Sequence, residues 1–169
     1  MIAGYLLDHA VERPKEPLPF KCAVFICGGM PMPIVEDLGI EISERAKSIE
    51  ERSRTELFAK AASVETVTPG TDYWARSKES VLMEGGIDQE NPYSLVVPEH
   101  MKIGIPTVHI YGQKDPRYYA SLNLRFFSKA ENRREFDHSG GHDVPRTTVV
   151  SERIADLVRW VAGAIADGK

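Results

Sequence analysis

Two residues, Asp115 and His142, are placed where a carboxylate and an imidazole could act together in proton transfer. Each lies four residues beyond a predicted strand: Asp115 after the apolar run 105–111, and His142 after the short strand 134–138. In sheets of parallel strands, ligands bind at the carboxyl ends of the strands. A carboxylate held against an imidazole fixes its tautomer and stabilises the imidazolium that forms during acyl transfer. The spacing alone also fits a turn aspartate and a loop histidine, so both interpretations stay open at this point.

The sequence does not supply an evident nucleophile for such a pair. None of its 13 glycines is followed two residues later by serine, so no Gly-x-Ser-x-Gly motif occurs. Cys27 ends an apolar run, but no helix pattern begins after it, and we expect a buried or strand-end thiol there. Ser139 lies close to His142 in sequence, and neighbours on one loop rarely align for proton transfer. We expect neither residue to replace a serine nucleophile.

The cysteines and glycines argue against a disulfide, a metal and a cofactor. Cys22 and Cys27 are the only cysteines. On one strand they would lie on opposite faces, about 17 Å apart, which is beyond the reach of a disulfide. No Cys/His cluster has the spacing of a zinc site, and the pair Gly28-Gly29 does not lead into a helix that could bind phosphate. We therefore expect free thiols and no bound metal or cofactor.

Hydrophobic patterning predicts the elements that position these residues. Two apolar runs predict buried strands at 20–27 and 105–111, and residues 134–138 are predicted to form a short third strand. Helical spacing predicts helices at 1–10, 41–62, 74–83, 117–130 and 149–166. His109, inside the second strand, is expected to be a packed core histidine. This order is typical of an α/β fold with a parallel sheet and flanking helices. Residues 31–100, which mix charged helix with Gly- and Pro-containing segments, are predicted to form an excursion or cap.

Length and composition fit one soluble domain. The chain has 169 residues, of which 42% are hydrophobic and 27% charged, and its formal net charge is −4. An acidic balance argues against nucleic-acid binding, which needs a basic face. No apolar run approaches the roughly 18 residues of a membrane span, and residues 1–10 lack the features of a signal peptide. We expect a cytoplasmic protein without a nucleic-acid or membrane partner.

Three stretches resemble the fungal serine hydrolases of the FSH type, an α/β-hydrolase family. They are Phe-Lys-Cys-Ala-Val-Phe-Ile-Cys-Gly-Gly at 20–29, Ile-Pro-Thr-Val-His-Ile-Tyr-Gly-Gln-Lys-Asp-Pro at 105–116 and His-Ser-Gly-Gly-His-Asp-Val-Pro-Arg at 138–146. The Gly-Gly-His-Asp-Val-Pro run is the most specific of them. By this resemblance, Asp115 is the acid and His142 the base of a catalytic triad. The whole chain, 1–169, is then one partial hydrolase domain with a lid at 31–100.

The resemblance also implies what is absent. Family members carry their serine in an elbow before the helix that residues 1–10 resemble, and this helix has no N-cap residue of its own. We therefore expect the nucleophile a few residues before Met1, together with the first strands and half of the oxyanion hole. A base without nucleophile or oxyanion hole should not catalyse, so the 169-residue chain alone is expected to be inactive.

The resemblance implies an acyl ester or thioester as substrate, with a polyketide synthase acyl carrier as a further partner in secondary metabolism. In that case Tyr73, Trp74 and Met83 would line an acyl pocket, although ordinary packing explains them equally well. Two alternatives remain open. One is an inactive hydrolase remnant that acts as a binding protein. The other is a flavodoxin-like or nucleotide-binding module, which would need a Gly-rich loop leading into a helix.

Overall fold

A parallel three-stranded sheet organises the chain. The structure is a computed structural model that describes residues 2–63, 73–78, 88 and 91–166. In these residues the strands are β1 (Ala23–Ile26), β2 (Thr107–Tyr111) and β3 (Arg133–Asp137). The helices are α1 (Ile2–Glu12), α2 (Met32–Asp37), α3 (Glu44–Ala62), α4 (Tyr118–Leu124) and α5 (Thr148–Ala166). Short 3₁₀ turns occupy Glu99–Met101, Arg125–Phe127 and Ala130–Asn132.

The strands lie in the order β1-β2-β3, and both pairs are parallel. Ala23 lies opposite Thr107, and Thr107 in turn lies opposite Arg133. The predicted α/β class and partial parallel sheet are therefore confirmed. Because all three strands run the same way, their carboxyl ends meet at one edge of the sheet, and the loops that follow them become neighbours.

Strand alternation gives the sheet two apolar faces. On one face, Val108 and Ile110 of β2 pack against Leu157 and Val161 of α5, with Cys22 at the margin. The other face contributes Ala23 and Phe25 to the larger core, which also holds α1, α3 and the chain around α4. Cys22 and Cys27 are both free cysteines, as their predicted positions on opposite faces require.

The predicted helix at 117–130 is wrong in its second half. The α-helix ends at Leu124, and the chain continues through a 3₁₀ turn into extended backbone at Ser128. The Ile103 N–H donates to the Phe127 carbonyl at 2.8 Å, and the Lys129 N–H donates to the Ile103 carbonyl at 3.1 Å. This pairing competes with helix formation and anchors the fully buried Phe127 ring in the core.

The region predicted as a cap begins with two helices. Ser43 caps α3, since its hydroxyl accepts the Ala46 N–H at 3.2 Å, so the helix starts three residues later than predicted. The predicted helix at 74–83 is wrong at its start, because residues 74–77 form a turn and irregular backbone; from residue 79 onward it lies outside the described residues. No helix in the described part of the chain combines the length and apolar character that crossing a bilayer requires.

Candidate active site

Asp115 and His142 meet at the carboxyl edge of the sheet. The His142 Nδ1–H donates to Asp115 Oδ2 at 2.9 Å. The Asp115 side chain is completely buried, whereas that of His142 is 32% exposed. A buried carboxylate therefore holds one ring nitrogen, and the exposed part of the ring faces solvent. This is the arrangement of the acid and base in an acyl-transfer triad.

The turn after β2 fixes the Asp115 carboxylate. The Asp115 N–H donates to the Gly112 carbonyl at 2.9 Å, and the Tyr118 N–H donates to the Asp115 carbonyl at 3.0 Å. One carboxylate oxygen, Oδ1, accepts the Arg117 N–H at 2.7 Å. With Oδ1 occupied in this way, Oδ2 is the oxygen that faces His142.

Backbone contacts tie the His142 loop to its surroundings. The Lys114 N–H donates to the Gly140 carbonyl at 2.9 Å, which links the loops after β2 and β3. The His142 N–H donates to the Trp74 carbonyl at 3.1 Å. The Trp74 ring lies 6.3 Å from the His142 ring, centroid to centroid. The described part of the predicted cap thus contacts the histidine directly.

An ion-pair network that the sequence did not reveal supports the Asp115 turn from α3. The Arg117 guanidinium binds Glu50 Oε1 at 2.7 Å and Ser53 Oγ at 2.8 Å. The other oxygen of Glu50 accepts the Tyr93 hydroxyl at 2.9 Å. Glu50 and Arg117 are 67 positions apart, and their types and spacing carry no local signal. Only the fold brings them together.

Cys27 lies beside the Asp115–His142 pair, which strand parity alone did not predict. One ligand atom each of Cys27, Asp115 and His142 lies within 4.8 Å of the other two. Burial and the negative charge of Asp115 raise the pKa of the Cys27 thiol above its usual range. A raised pKa reduces the thiolate population at neutral pH, which agrees with the expectation that Cys27 is not a nucleophile.

His138 and Ser139 have structural partners next to the pair. The Gly140 N–H donates to His138 Nδ1 at 3.1 Å, and His138 Nε2 lies 4.0 Å from Cys27 Sγ. Burial lowers the pKa of His138, so the ring is neutral at pH 7 with its proton on Nε2. Ser139 is exposed, and its backbone N–H donates to Asp137 Oδ1 at 2.7 Å.

A separate cavity opens at the other end of the sheet. It has a volume of about 460 Å³ and is lined by the segments that precede β1 and β2, including Phe20, Lys21 and Ile105. Ligands of open α/β sheets bind at the carboxyl ends of strands, and the paired carboxylate and imidazole lie there. We therefore assign the candidate active site to the carboxyl edge.

The fold and the acid–base pair define the class as an α/β hydrolase. The family model described as Serine hydrolase (FSH1) matches residues 1–154. The chain therefore belongs to this serine hydrolase family, as the resemblance of its three motif stretches predicted.

Curated relatives are fungal hydrolases and esterases. Hydrolase FUB4 of Fusarium oxysporum f. sp. lycopersici is 25% identical over 170 residues, which cover 94% of this chain and 61% of the relative. Esterase FUS5 of Gibberella fujikuroi is 35% identical over 63 residues (37% of this chain, 27% of the relative). Esterase FPY3 of Fusarium mangiferae is 37% identical over 59 residues (35% and 26%). The chain thus spans less than two thirds of each relative's length. No solved structure matches the chain.

Proposed function

We propose that the complete protein hydrolyses carboxylic ester bonds, with Asp115 as the acid and His142 as the base of a serine triad. The observation that carries this proposal is the 2.9 Å hydrogen bond from His142 Nδ1 to the buried Asp115 carboxylate. Membership of the serine hydrolase family and the esterase names of two relatives support it.

In this mechanism His142 Nε2 removes the proton of a serine hydroxyl as that oxygen attacks the acyl carbonyl. His142 then returns the proton to the leaving oxygen or sulfur, which leaves the acyl group on the serine. In the second step His142 activates a water molecule, which attacks the acyl-enzyme and releases the carboxylic acid. Asp115 keeps the proton on Nδ1, so that Nε2 is free to accept, and it stabilises the imidazolium. The serine is proposed to lie in a segment outside these 169 residues, since no Gly-x-Ser-x-Gly motif occurs within them.

The region 31–100 is proposed to be the lid of this single domain and to shape the acyl pocket. Support comes from the Trp74 carbonyl and ring, which contact His142. Tyr73 packs against the Trp74 ring at 5.3 Å, so both aromatic side chains are near the base. Met83, the third predicted pocket residue, lies outside the described residues. Two aromatic rings packed edge to face beside the base provide apolar surface for an acyl group.

A finer proposal concerns the group from which the acyl chain is cleaved. An acyl thioester on a polyketide synthase carrier, released in cytoplasmic secondary metabolism, fits the same chemistry, because thiolates leave more readily than alkoxides. The free cysteines suit a reducing compartment. Parallel assays with an acyl ester and the matching acyl thioester decide between the two leaving groups.

The test begins with the 5′ end of the transcript and uses the protein encoded by the complete reading frame. We expect labelling by a fluorophosphonate probe and ester hydrolysis, with kcat reduced on the order of 10³-fold or more in His142→Ala and Asp115→Asn. His100→Ala, which alters an exposed histidine, should leave kcat unchanged. A reading frame that starts at Met1 and a protein that is neither labelled nor active would overturn the proposal and favour the inactive remnant. Full activity in His142→Ala would overturn the assigned roles.

A further inference from the structure

Metal-binding side chains from the ends of three strands converge around the Asp115 carboxylate. Cys27 follows β1, Asp115 follows β2 and His142 follows β3, and one ligand atom of each lies within 4.8 Å of the others. Local spacing in the sequence indicated no zinc site, because zinc motifs are recognised by ligands that are close in sequence. Here the ligands are brought together only by the parallel order of the strands.

We propose that Cys27, Asp115 and His142 form a binding site for Zn²⁺ or a similar thiophilic divalent ion. An ion at this position would coordinate the His142 imidazole, which could then no longer act as a base. The inhibitory consequence rests on the proposed hydrolase function, whereas the binding of the ion does not.

The ligand set and its dimensions fit zinc. Thiolate, imidazole and carboxylate are the three common zinc ligands, and bond lengths of 2.0–2.3 Å place neighbouring ligands of a tetrahedral ion about 3.5 Å apart. Asp115 Oδ2 and His142 Nδ1 are closer than this, at 2.9 Å, and the 4.8 Å limit of the cluster is wider. A side-chain adjustment of roughly 1 Å therefore reaches zinc geometry. A thiolate ligand disfavours Mg²⁺ and Ca²⁺, which prefer oxygen.

Neighbouring groups already orient the ligands. The Arg117 N–H holds Asp115 Oδ1 at 2.7 Å, which leaves Oδ2 for the ion. His138 Nδ1 accepts the Gly140 N–H at 3.1 Å, so its Nε2, which lies 4.0 Å from Cys27 Sγ, is the ring nitrogen that can donate. It would thus act as a hydrogen-bond donor to a metal-bound sulfur, which is the role of outer-shell groups in metal sites. The partly exposed His142 side chain gives the ion access from solvent.

Charge balance favours a cation. The Asp115 carboxylate is buried beside Cys27. The Asp143 carboxylate is a second negative charge close enough to act on the Cys27 thiol. On binding, the ion would displace the thiol proton of Cys27 to solvent, and the proton on His142 Nδ1 would move to Nε2, so that the ring would bind as a neutral imidazole. A water molecule would complete the tetrahedron.

The experiment uses Co²⁺ as a spectroscopic probe on the purified 169-residue chain. We expect a near-ultraviolet thiolate-to-cobalt absorption band that Zn²⁺ removes by competition. The band should be lost in Cys27→Ser and retained in Cys22→Ser, a matched change at the other cysteine of the same run. No band in the folded wild-type chain, or a band that survives Cys27→Ser, would overturn the proposal.

A second measurement needs no variant. Alkylation of the wild-type chain by a maleimide, run long enough for Cys27 to react in the absence of metal and followed by mass spectrometry of the peptides, should show Zn²⁺ protecting Cys27 and leaving the reaction of Cys22 unchanged. Equal reaction of Cys27 with and without Zn²⁺ would contradict the site. Neither measurement depends on ester hydrolysis. A negative result for metal binding therefore leaves the proposed hydrolase function standing, and an absence of hydrolysis does not affect the test of metal binding.

Discussion

At the residue scale, the site depends on a close approach at Gly112. A methyl group placed on Gly112 would come within 2.3 Å of the Gly140 carbonyl oxygen and 2.6 Å of the Gly141 carbonyl oxygen. These are backbone atoms of the loop that carries His142, so they cannot yield as a flexible side chain would. The absence of a side chain at Gly112 thus allows the loops after β2 and β3 to pack together.

We expect Gly112→Ala to lower the free energy of unfolding by roughly 1–3 kcal/mol, because the added methyl forces the His142 loop away. Urea denaturation measures the loss, and the NMR shift of the His142 ring reports the displacement. Gly104→Ala is the matched control, since a methyl group there meets nothing within 4 Å. Equal effects of the two substitutions would show that the close approach at Gly112 has no energetic role.

The positions of Asp115 and His142 were predictable for a simple physical reason. Parallel strands bring their carboxyl ends together, so polar residues just beyond two adjacent strands become neighbours. The approach of Cys27 was not predictable from alternation, because Cys27 adopts a left-handed backbone with φ 48° as the strand ends. The Glu50–Arg117 pair depends on how the fold places α3 beside the residue that precedes α4, and no pattern in the sequence specifies that placement.

At the element scale, the two edges of the sheet differ. The Ala23 N–H donates to the Pro106 carbonyl just before β2, and the Cys27 N–H donates to the Ile110 carbonyl of β2. The backbone groups of Val24 and Ile26 therefore point away from β2. The side chains of Val24 and Ile26 are 39% and 52% exposed. The β3 edge, in contrast, carries the charged sequence Arg-Arg-Glu-Phe-Asp. Charged edges resist pairing with other chains, whereas exposed apolar edges promote it.

We therefore expect the 169-residue chain to self-associate as its concentration rises and Ile26→Lys to weaken that association. Sedimentation velocity over a concentration series measures the effect. Val149→Lys is the control, since Val149 is 75% exposed on a helix, away from the edge strand. The edge interpretation fails if the wild-type chain is monomeric throughout or if the two lysine variants behave alike.

Element types were predicted better than element ends. The helix expected at 149–166 is observed at Thr148–Ala166, because its apolar stripe faces β2 and the pattern is long. The strand expected at 20–27 narrows to Ala23–Ile26, since only those residues have a β2 partner in register. The break after Leu124 was missed because the competing partner, Ile103, lies far away in sequence.

At the scale of the whole molecule, stability should depend on His109 in the central strand. His109 is buried against Phe25, with ring centroids 5.2 Å apart, and its Nε2 faces Thr107 and Ser128. Among the described residues, its Nδ1 has no hydrogen-bond partner. His109 is 1% exposed, which confirms the prediction of a packed core histidine, and this burial lowers its pKa to about 4.

Because the folded state resists protonation of His109, the unfolded chain binds more protons between pH 6.5 and 4. The free energy of unfolding should therefore fall as pH decreases through this window, by up to about 3 kcal/mol from this residue. Urea midpoints at a series of pH values measure the slope. His109→Gln should flatten it and His100→Gln should not. An unchanged slope in His109→Gln would assign the acid sensitivity to other groups.

The substrate, in contrast, was not predictable at this scale. Acyl preference depends on the shape of a binding pocket, and hydrophobic patterning encodes secondary structure, not pocket shape. The motif stretches identified the family because they lie at strand ends, where catalytic groups are concentrated.

The most direct test of the account is the protonation of the His142 ring in the 169-residue chain. Long-range ¹H–¹⁵N NMR of the imidazole distinguishes a proton on Nδ1 from one on Nε2. We expect the neutral ring to carry its proton on Nδ1, because Asp115 Oδ2 accepts it, and we expect this preference to disappear in Asp115→Asn and to persist in Cys22→Ser. A neutral His142 with its proton on Nε2, or a tautomer unaffected by Asp115→Asn, would contradict the assignment of Asp115 and His142 as a working acid–base pair.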